Sequence, residues 1–256
     1  MTGELREEDV LRHQRDQMLK LVTKGFYKEL TSFGVEPNEI VRVASHLLDN
    51  LMSGVDSPGT GIPYYNSLFD LGAVEDRWSD DGSISVQGIT IRSLEPDVVP
   101  LVADWLGERE VRESFVPAYP DSQEALRDRL LSSPNTYFEV IYEDRPVGIV
   151  GGENPDECHG KMEMKKLVGA DGMRGKGIGK RATFGFLYYA FALRGLNKVY
   201  IHSRDINMRN INLNSRFGFE IEGIFHEDLL VDGRRRDVVR MSLLKDTWSR
   251  LFGARS

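Results

Sequence analysis

The sequence predicts an α+β protein, in which a mixed and mostly antiparallel twisted sheet flanked by helices follows an α-helical N-terminal segment. Two patterns support this fold class. Apolar residues at three- and four-residue steps before residue 54 are typical of helices, and alternating apolar residues between residues 89 and 244 are typical of strands. The composition agrees, because 256 residues that are 40% hydrophobic and 29% charged can bury a sizeable core.

Two antiparallel helices are predicted at the N-terminus. The apolar spacing predicts a helix over residues 10–33, which Gly34 can end, and a second over residues 37–51, which Pro37 can open. The turn-rich sequences that follow indicate a connector over residues 55–87. We therefore expect a helical hairpin over residues 1–54, joined to the rest of the chain by that connector.

Strands and helices alternate after residue 88. We predict strands over residues 89–94, 137–142, 146–151, 161–168, 198–202, 219–231 and 236–244. We predict helices over residues 97–106, 122–131, 176–193 and 207–217. These elements form one expected domain over residues 88–246, followed by a C-terminal tail over residues 247–256.

The distribution of charge excludes some classes of function. Residues 1–86 hold 15 acidic and 8 basic residues, whereas the rest of the chain holds 25 of each. A nucleic-acid-binding surface is therefore not expected in the larger part. The single Cys158, the polar N-terminus and the lack of a long apolar stretch predict a cytoplasmic protein without a membrane segment. The five histidines lack metal-binding spacing, so no metal site is expected.

A glycine-rich turn between the strand over 161–168 and the helix over 176–193 is the sharpest functional signal. Glycines let a backbone approach a ligand closely, and the N-terminus of a helix binds anions, so the turn predicts a phosphate site. It is not a P-loop, which requires Ser or Thr after Gly-Lys. It is neither a dinucleotide fingerprint nor a kinase loop, since both require a glycine where Lys180 stands.

Two motifs resemble the GNAT family of acyl-CoA N-acyltransferases. The Arg-x-x-Gly-x-Gly signature is present as Arg174, Gly177 and Gly179, and Asn207 stands eleven residues before the pair Gly218-Phe219. The closing hairpin resembles the branch that contains ribosomal-protein and polyamine acetyltransferases. The resemblance covers residues 88–246 and leaves residues 1–86 without a recognised counterpart, and it implies the acyl-CoA N-acyltransferase fold.

The resemblance implies that acetyl-CoA is the co-substrate. Its pyrophosphate would rest on the backbone of the glycine turn, and its pantetheine arm would pair with the end of the preceding strand. Asn207 would contact that arm, cap the following helix, or do both. The expected cofactor-binding residues are Leu167, Val168, Gly169, Arg174, Gly175, Lys176, Gly177, Ile178, Gly179, Lys180 and Asn207.

Three residues are candidates for proton transfer. Glu163 lies on the strand before the turn, where relatives often carry a carboxylate that faces the amine, although it also fits a solvated charged strand face. The family often places a tyrosine, as the acid for the thiolate, where this chain has Asn214. Asn214 can donate a hydrogen bond but no proton, which leaves the acid open between water, the adjacent Ser215 and a tyrosine from a loop.

The implied function is transfer of an acetyl group from acetyl-CoA to a primary amine, such as a small amine, an amino sugar or a protein N-terminus. The alternative is a non-catalytic module that binds acyl-CoA or a protein partner. The apolar faces of the N-terminal helices are too small to fold well as an isolated pair. We expect them to pack on the transferase domain or on a partner, for which a second copy of the chain is one option.

Overall fold

The computed structural model describes residues 4–32, 34–36, 39–40, 64–71, 74–76, 82–108, 122–204, 208–231 and 233–253. The chain divides into two compact units, Met1–Gly61 and Ile62–Ser256. In the first unit, helix α1 (Glu4–Ser32) corresponds to the helix predicted over residues 10–33. The predicted helix over residues 37–51 lies outside the described residues except for residues 39–40, which are helical. No helix in the described ranges is long and apolar enough to cross a bilayer.

The second unit contains a nine-stranded sheet and five α-helices in its described part. The strands are β1 (Val74–Asp76), β2 (Ser83–Val86), β3 (Ile89–Ser93), β4 (Thr136–Tyr142), β5 (Arg145–Asp156), β6 (Lys161–Val168), β7 (Lys198–Arg204), β8 (Glu220–Val231) and β9 (Arg234–Leu244). The helices are α2 (Val99–Gly107), α3 (Gln123–Leu131), α4 (Ile178–Tyr188), α5 (Met208–Ser215) and α6 (Lys245–Phe252). A 3-10 turn, Pro96–Val98, precedes α2, and a π-helical turn, Tyr189–Leu193, extends α4.

The strand order across the sheet is β1-β2-β3-β4-β5-β6-β7-β9-β8. Every neighbouring pair is antiparallel except β6 and β7, which are parallel. The predicted fold class, a mixed and mostly antiparallel sheet flanked by helices, is therefore confirmed.

Helices cover both faces of the sheet. Successive strand residues point to opposite faces, and the neighbours Tyr137 and Phe138 of β4 show which helices lie where. Tyr137 belongs to an apolar cluster with Trp105 of α2 and Leu126 of α3. Phe138 lies against Phe186 of α4, with ring centroids 6.5 Å apart. The helices α2 and α3 therefore pack on one face, and α4 packs on the other.

Part of the expected connector belongs to the core of the second unit. Within residues 55–87, the described residues include β1 and β2 and two buried rings, Tyr65 and Phe69. The ring of Phe69 stacks on Phe184 of α4, with centroids 4.9 Å apart. The burial of these aromatic side chains explains why this segment joins the domain instead of linking two domains.

The expected C-terminal tail is also structured. Over residues 245–252 the chain forms α6, and its Trp248 and Phe252 are buried. These two residues are four apart and so share one helix face. The ring of Phe252 lies 5.4 Å from Phe184, between centroids, which extends the core beyond the predicted end at residue 246.

The strands β6 and β7 separate partway along their length. Their parallel pairing covers only Lys161 with Lys198, Met162 with Val199, and Glu163 with Tyr200. The strand β6 then continues to Val168, still paired with β5 on its other side. Beyond Glu163, one edge of β6 therefore faces an opening in the sheet.

Candidate functional site

A cleft of about 770 Å³ occupies the opening between β6 and β7. Its walls come from the second half of β6, the turn before α4, the strand β7, the helix α5 and the ring of Tyr65. Six side chains with basic nitrogen groups line it, namely Lys165, Lys166, Arg174, Lys180, His202 and Arg216. No Asp or Glu of the described ranges lines it, so the cleft attracts an anionic ligand.

The glycine turn forms one end of the cleft. Gly175 and Gly177 have φ angles of +86° and +77°, which place them in the left-handed region that glycine adopts without strain. Gly177 is the N-cap of α4 and offers no side-chain acceptor to the first N–H groups of that helix. Those N–H groups and the positive end of the helix dipole therefore remain for an anion.

Gly179 lines the cleft for a different reason. Its φ angle is not positive, and an added Cβ would lie 3.7 Å from Val168 Cγ2, which is an ordinary contact. The fold therefore does not require glycine at this position. A bare backbone here leaves room at the start of α4, as a close approach of a phosphate group requires. The turn and the basic lining fit the phosphates of a coenzyme A molecule.

The end of β6 fits the pantetheine arm. Leu167 and Val168 line the cleft and pair with β5 on one side only, so an extended amide chain could pair with their other edge. Gly169, the third residue expected along the arm, packs closely against α2. It does not line the cleft, and an added Cβ would lie 2.2 Å from the ring of Trp105, so the close packing of α2 requires glycine there.

Glu163 lies in a buried cluster beside the cleft. Its Oε1 accepts hydrogen bonds from Lys165 Nζ and from His202 Nδ1, the latter at 2.9 Å, and its Oε2 accepts one from Asn154 Nδ2 at 3.0 Å. Burial alone would raise the pKa of Glu163, but the hydrogen bond from His202 and the charge of Lys165 outweigh burial and lower the pKa to about 2. Glu163 is therefore a carboxylate at neutral pH, already occupied by three donors.

Asn214 is fully buried and bonded to a lysine. Its Oδ1 accepts a hydrogen bond from Lys166 Nζ at 3.0 Å, and its Nδ2 donates to the carbonyl oxygen of Asn210 at 2.8 Å. Lys166 Nζ also donates to Thr183 Oγ1 of α4 at 3.1 Å. Burial lowers the pKa of Lys166 to about 7.

The other predicted residues have mixed positions. Arg174, Ile178 and Lys180 line the cleft. Lys176 does not, and its Nζ lies 3.6 Å from Met173 Sδ. Ser215 is not among the described residues that line the cleft. Asn207 lies outside the described residues.

Sequence reasoning missed several residues of the cleft, among them Tyr65, Lys166, His202 and Arg216. Arg216 lies over the ring of Tyr65, with its Cζ 4.4 Å from the centroid. The sequence carries no local signal for these residues, because they meet only when distant elements pack. His202 and Lys166 each stand on a predicted strand. The alternation of side chains between the two faces of a strand was the one pattern that could have predicted which face each of them occupies. No three His, Cys, Asp or Glu side chains form a metal-binding group in the described ranges.

A family model described as an acetyltransferase (GNAT) domain matches residues 89–220. The chain belongs to the GNAT acetyltransferase family. Members of this family use acetyl-CoA as co-substrate, so the chain is an acetyl-CoA-dependent acetyltransferase, and the prediction from the two motifs is confirmed.

Two curated relatives match more than half of this chain and nearly all of their own length. A Bacillus subtilis protein provisionally named a ribosomal N-acetyltransferase is 28% identical in an alignment of 171 residues, and the match covers 62% of this chain and 93% of that relative. A spermidine N(1)-acetyltransferase of Vibrio cholerae is 28% identical in an alignment of 166 residues, and the match covers 62% of this chain and 95% of that relative.

A solved structure shows the same fold. The spermidine N-acetyltransferase from Vibrio cholerae in complex with CoA and spermine matches with a TM-score of 0.58 and 23% identity. The match covers 63% of this chain and 98% of that one.

Proposed function

We propose that this acetyltransferase moves the acetyl group of acetyl-CoA to a primary amine in the cleft between β6 and β7, with His202 as the proton acceptor. The observation that carries the proposal is the separation of the two strands after Glu163, which leads directly to the glycine turn at the start of α4. That arrangement offers a strand edge for an extended amide chain and a helix N-terminus for phosphates in one continuous cleft.

Acetyl-CoA supplies the thioester whose carbonyl carbon the amine attacks. The backbone N–H groups of residues 175–179 bind its pyrophosphate, and Arg174 and Lys180 add positive charge at the same end. The edges of Leu167 and Val168 hold the pantetheine arm. Asn207, the one expected contact outside the described residues, is proposed to touch that arm from the other wall.

The amine must lose a proton before it attacks, because an ammonium has no lone pair. Glu163 was the expected acceptor, but a carboxylate with a pKa of about 2 is a weak base, and three donors already occupy it. His202 is better suited, since it lines the cleft and its Nδ1–H donates to Glu163. That bond fixes the tautomer, so Nε2 carries the lone pair. Glu163 thus acts as a positioning residue.

The acceptor is proposed to be a primary amine of the polyamine class. The Vibrio cholerae relative, which is named a spermidine acetyltransferase, supports this choice because the match with this chain covers 95% of that relative. The Bacillus subtilis relative supports a protein N-terminus as the second candidate. The two candidates are distinguished by the assay below.

A thiol-release assay with the full chain and acetyl-CoA tests the proposal. Spermidine, spermine, an amino sugar and a peptide with a free N-terminus form the amine panel, and mass spectrometry identifies the acetylated product. Release that depends on spermidine is the expected result. Tight CoA binding without turnover of any of these amines would count against catalysis and in favour of a non-catalytic module.

The role of the first unit remains a prediction. The N-terminal helices were expected to pack on the transferase domain or on a partner, for which a second copy of the chain is one option. Light scattering compares the full chain with a chain that begins at residue 62. A dimer of the full chain and a monomer of the shorter chain would support pairing of two copies through the first unit.

A further inference from the structure

Lys166 lies where three elements of the cleft meet. It stands on β6, and its Nζ donates hydrogen bonds to Thr183 of α4 and to Asn214 of α5. The side chain also lines the cleft, so a ligand between β6 and β7 can reach it.

Both partners of Lys166 are held as acceptors. The hydroxyl of Thr183 donates to the carbonyl oxygen of Gly179 at 2.7 Å, which turns its lone pairs to the lysine. The amide of Asn214 donates to Asn210, which turns its oxygen to the lysine. An ammonium has three N–H donors, and these two described partners use two of them. The third N–H is left for a ligand in the cleft.

The surroundings of Lys166 disfavour its positive charge. Its two partners are neutral, and the one carboxylate on its own strand, Glu163, bonds to Lys165 and His202 instead. The other ionisable groups along the cleft are Tyr65, Lys165, Arg174, Lys180, His202 and Arg216, and no carboxylate of the described ranges lines it. Burial lowers the pKa of Lys166 to about 7, so the group can release a proton near neutral pH.

Acetyl transfer creates a need for such a group. When the C–S bond breaks, the sulfur keeps the electron pair and leaves as a thiolate. A proton donor assists this departure best when its own pKa lies near the working pH. Asn214 has no proton to give, and Ser215 does not line the cleft in the described part of the chain.

We propose that Lys166 is the catalytic acid, which protonates the sulfur of the departing coenzyme A, and that Thr183 and Asn214 hold its ammonium in place. The proposal rests on the acetyl transfer proposed above. As the N–C bond to the amine forms and the C–S bond breaks, a proton passes from Lys166 Nζ to the sulfur and yields the thiol. The amine loses one proton to His202 and one to water. His202 then passes its proton to water and Lys166 regains one from water, so the net release is one proton per ammonium consumed.

The protonation of Lys166 can be measured without turnover. Trace labelling of the full wild-type chain with acetic anhydride between pH 5 and pH 10, read by peptide mass spectrometry, reports the fraction of each lysine that is neutral. The expected midpoint for Lys166 is near pH 7, while exposed lysines follow the ordinary value of about 10.4. A midpoint for Lys166 close to that of the exposed lysines overturns the proposal.

Substitutions then separate proton donation from charge. Lys166→Met is expected to lower kcat by about 10- to 100-fold with little change in the KM for acetyl-CoA, and to remove the fall in rate above the pKa of the acid. Lys166→Arg keeps the charge and the donors but cannot release a proton near neutral pH, so it is expected to be as slow as the Met variant. Lys161→Met, on the same strand but outside the cleft, is the matched control.

The outcomes distinguish this proposal from the proposed function. If the wild type shows no turnover of any amine, the acetyl transfer itself fails, and this proposal fails with it. If the wild type is active and Lys166→Arg keeps its kcat and its pH profile, only the assignment of the acid is overturned. The labelling midpoint decides the same question if the Met variant does not fold.

Discussion

Gly179 offers a sharp test of the phosphate site, because the fold and the proposed ligand make opposite demands on it. An added Cβ meets only Val168 Cγ2 at 3.7 Å, so Gly179→Ala creates no clash within the protein. Alanine is favoured over glycine inside a helix by about 0.5–1 kcal/mol. The free energy of unfolding is therefore expected to stay constant or to rise by up to about 1 kcal/mol.

The same methyl group blocks the approach of a phosphate to the start of α4. Losing one hydrogen bond to a charged group costs about 1.5–3 kcal/mol, which corresponds to a roughly 10- to 150-fold rise in Kd. Isothermal titration calorimetry with CoA measures this rise. Pantetheine, which lacks the phosphates, is expected to bind the variant and the wild type equally.

Gly185→Ala is the matched control for this substitution. Gly185 lies on the same helix but faces the core, where an added Cβ would lie 3.1 Å from Ile91 Cδ1. This variant is expected to change stability and to leave the Kd for CoA within about twofold of the wild type, since it is remote from the charged contacts. A Gly179→Ala protein that is stable and binds CoA with wild-type affinity would refute the assignment of the phosphate site.

Three further predictions address the base, the buried cluster and the core. His202→Gln is expected to lower kcat/KM by about 100-fold or more, with His159→Gln as the control; a kcat/KM within about twofold of the wild type would exclude His202 as the base. The pKa of Glu163 is lower in the folded protein than its ordinary 4.5, so its ionised form stabilises the fold above about pH 4.5, and this contribution is lost as the pH falls toward 2. Glu163→Gln should therefore lower the free energy of unfolding, measured by urea denaturation, by about 3 kcal/mol at pH 7 and by progressively less below pH 4.5. An equal loss at pH 7 and pH 3 would show that ionisation of Glu163 does not stabilise the fold. Phe252→Ala is expected to cost about 3–5 kcal/mol of unfolding free energy, whereas a cost below 1 kcal/mol would mean that α6 is not part of the core.

Much of the second unit could be predicted from local sequence patterns. The bounds predicted for β6, residues 161–168, are the observed ones, and the glycine turn was placed correctly between β6 and α4. Both features depend on residues that are close in sequence, because apolar patterns predict strands and glycines predict turns. The long helix predicted over 176–193 was also found, as α4 and its π-helical extension.

The parts that local patterns did not predict depend on distant contacts. Tyr65 and Phe69 stand in a turn-rich sequence without periodicity, and contacts with distant residues such as Phe217 and Phe184 bury them. The contacts of Glu163 and Lys166 have the same origin. His202 meets Glu163 across 39 residues of sequence, and Lys166 meets Asn214 across 48. Spacing along the chain does not encode such pairs, because packing of separate elements creates them.

The spacing of Trp248 and Phe252 is different, because it was a usable signal. Two large apolar residues four apart predict one buried helix face, and the structure has that helix as α6. A pattern that the sequence does contain could therefore have predicted the helix that begins the expected tail.

A crystal structure of the full chain with bound CoA tests the central claim most directly. The account predicts the pyrophosphate on the backbone N–H groups of residues 175–179, the pantetheine arm along Leu167 and Val168, and the sulfur within hydrogen-bonding reach of Lys166 Nζ. Coenzyme A bound away from the cleft between β6 and β7, or with its phosphates away from the start of α4, would contradict the account.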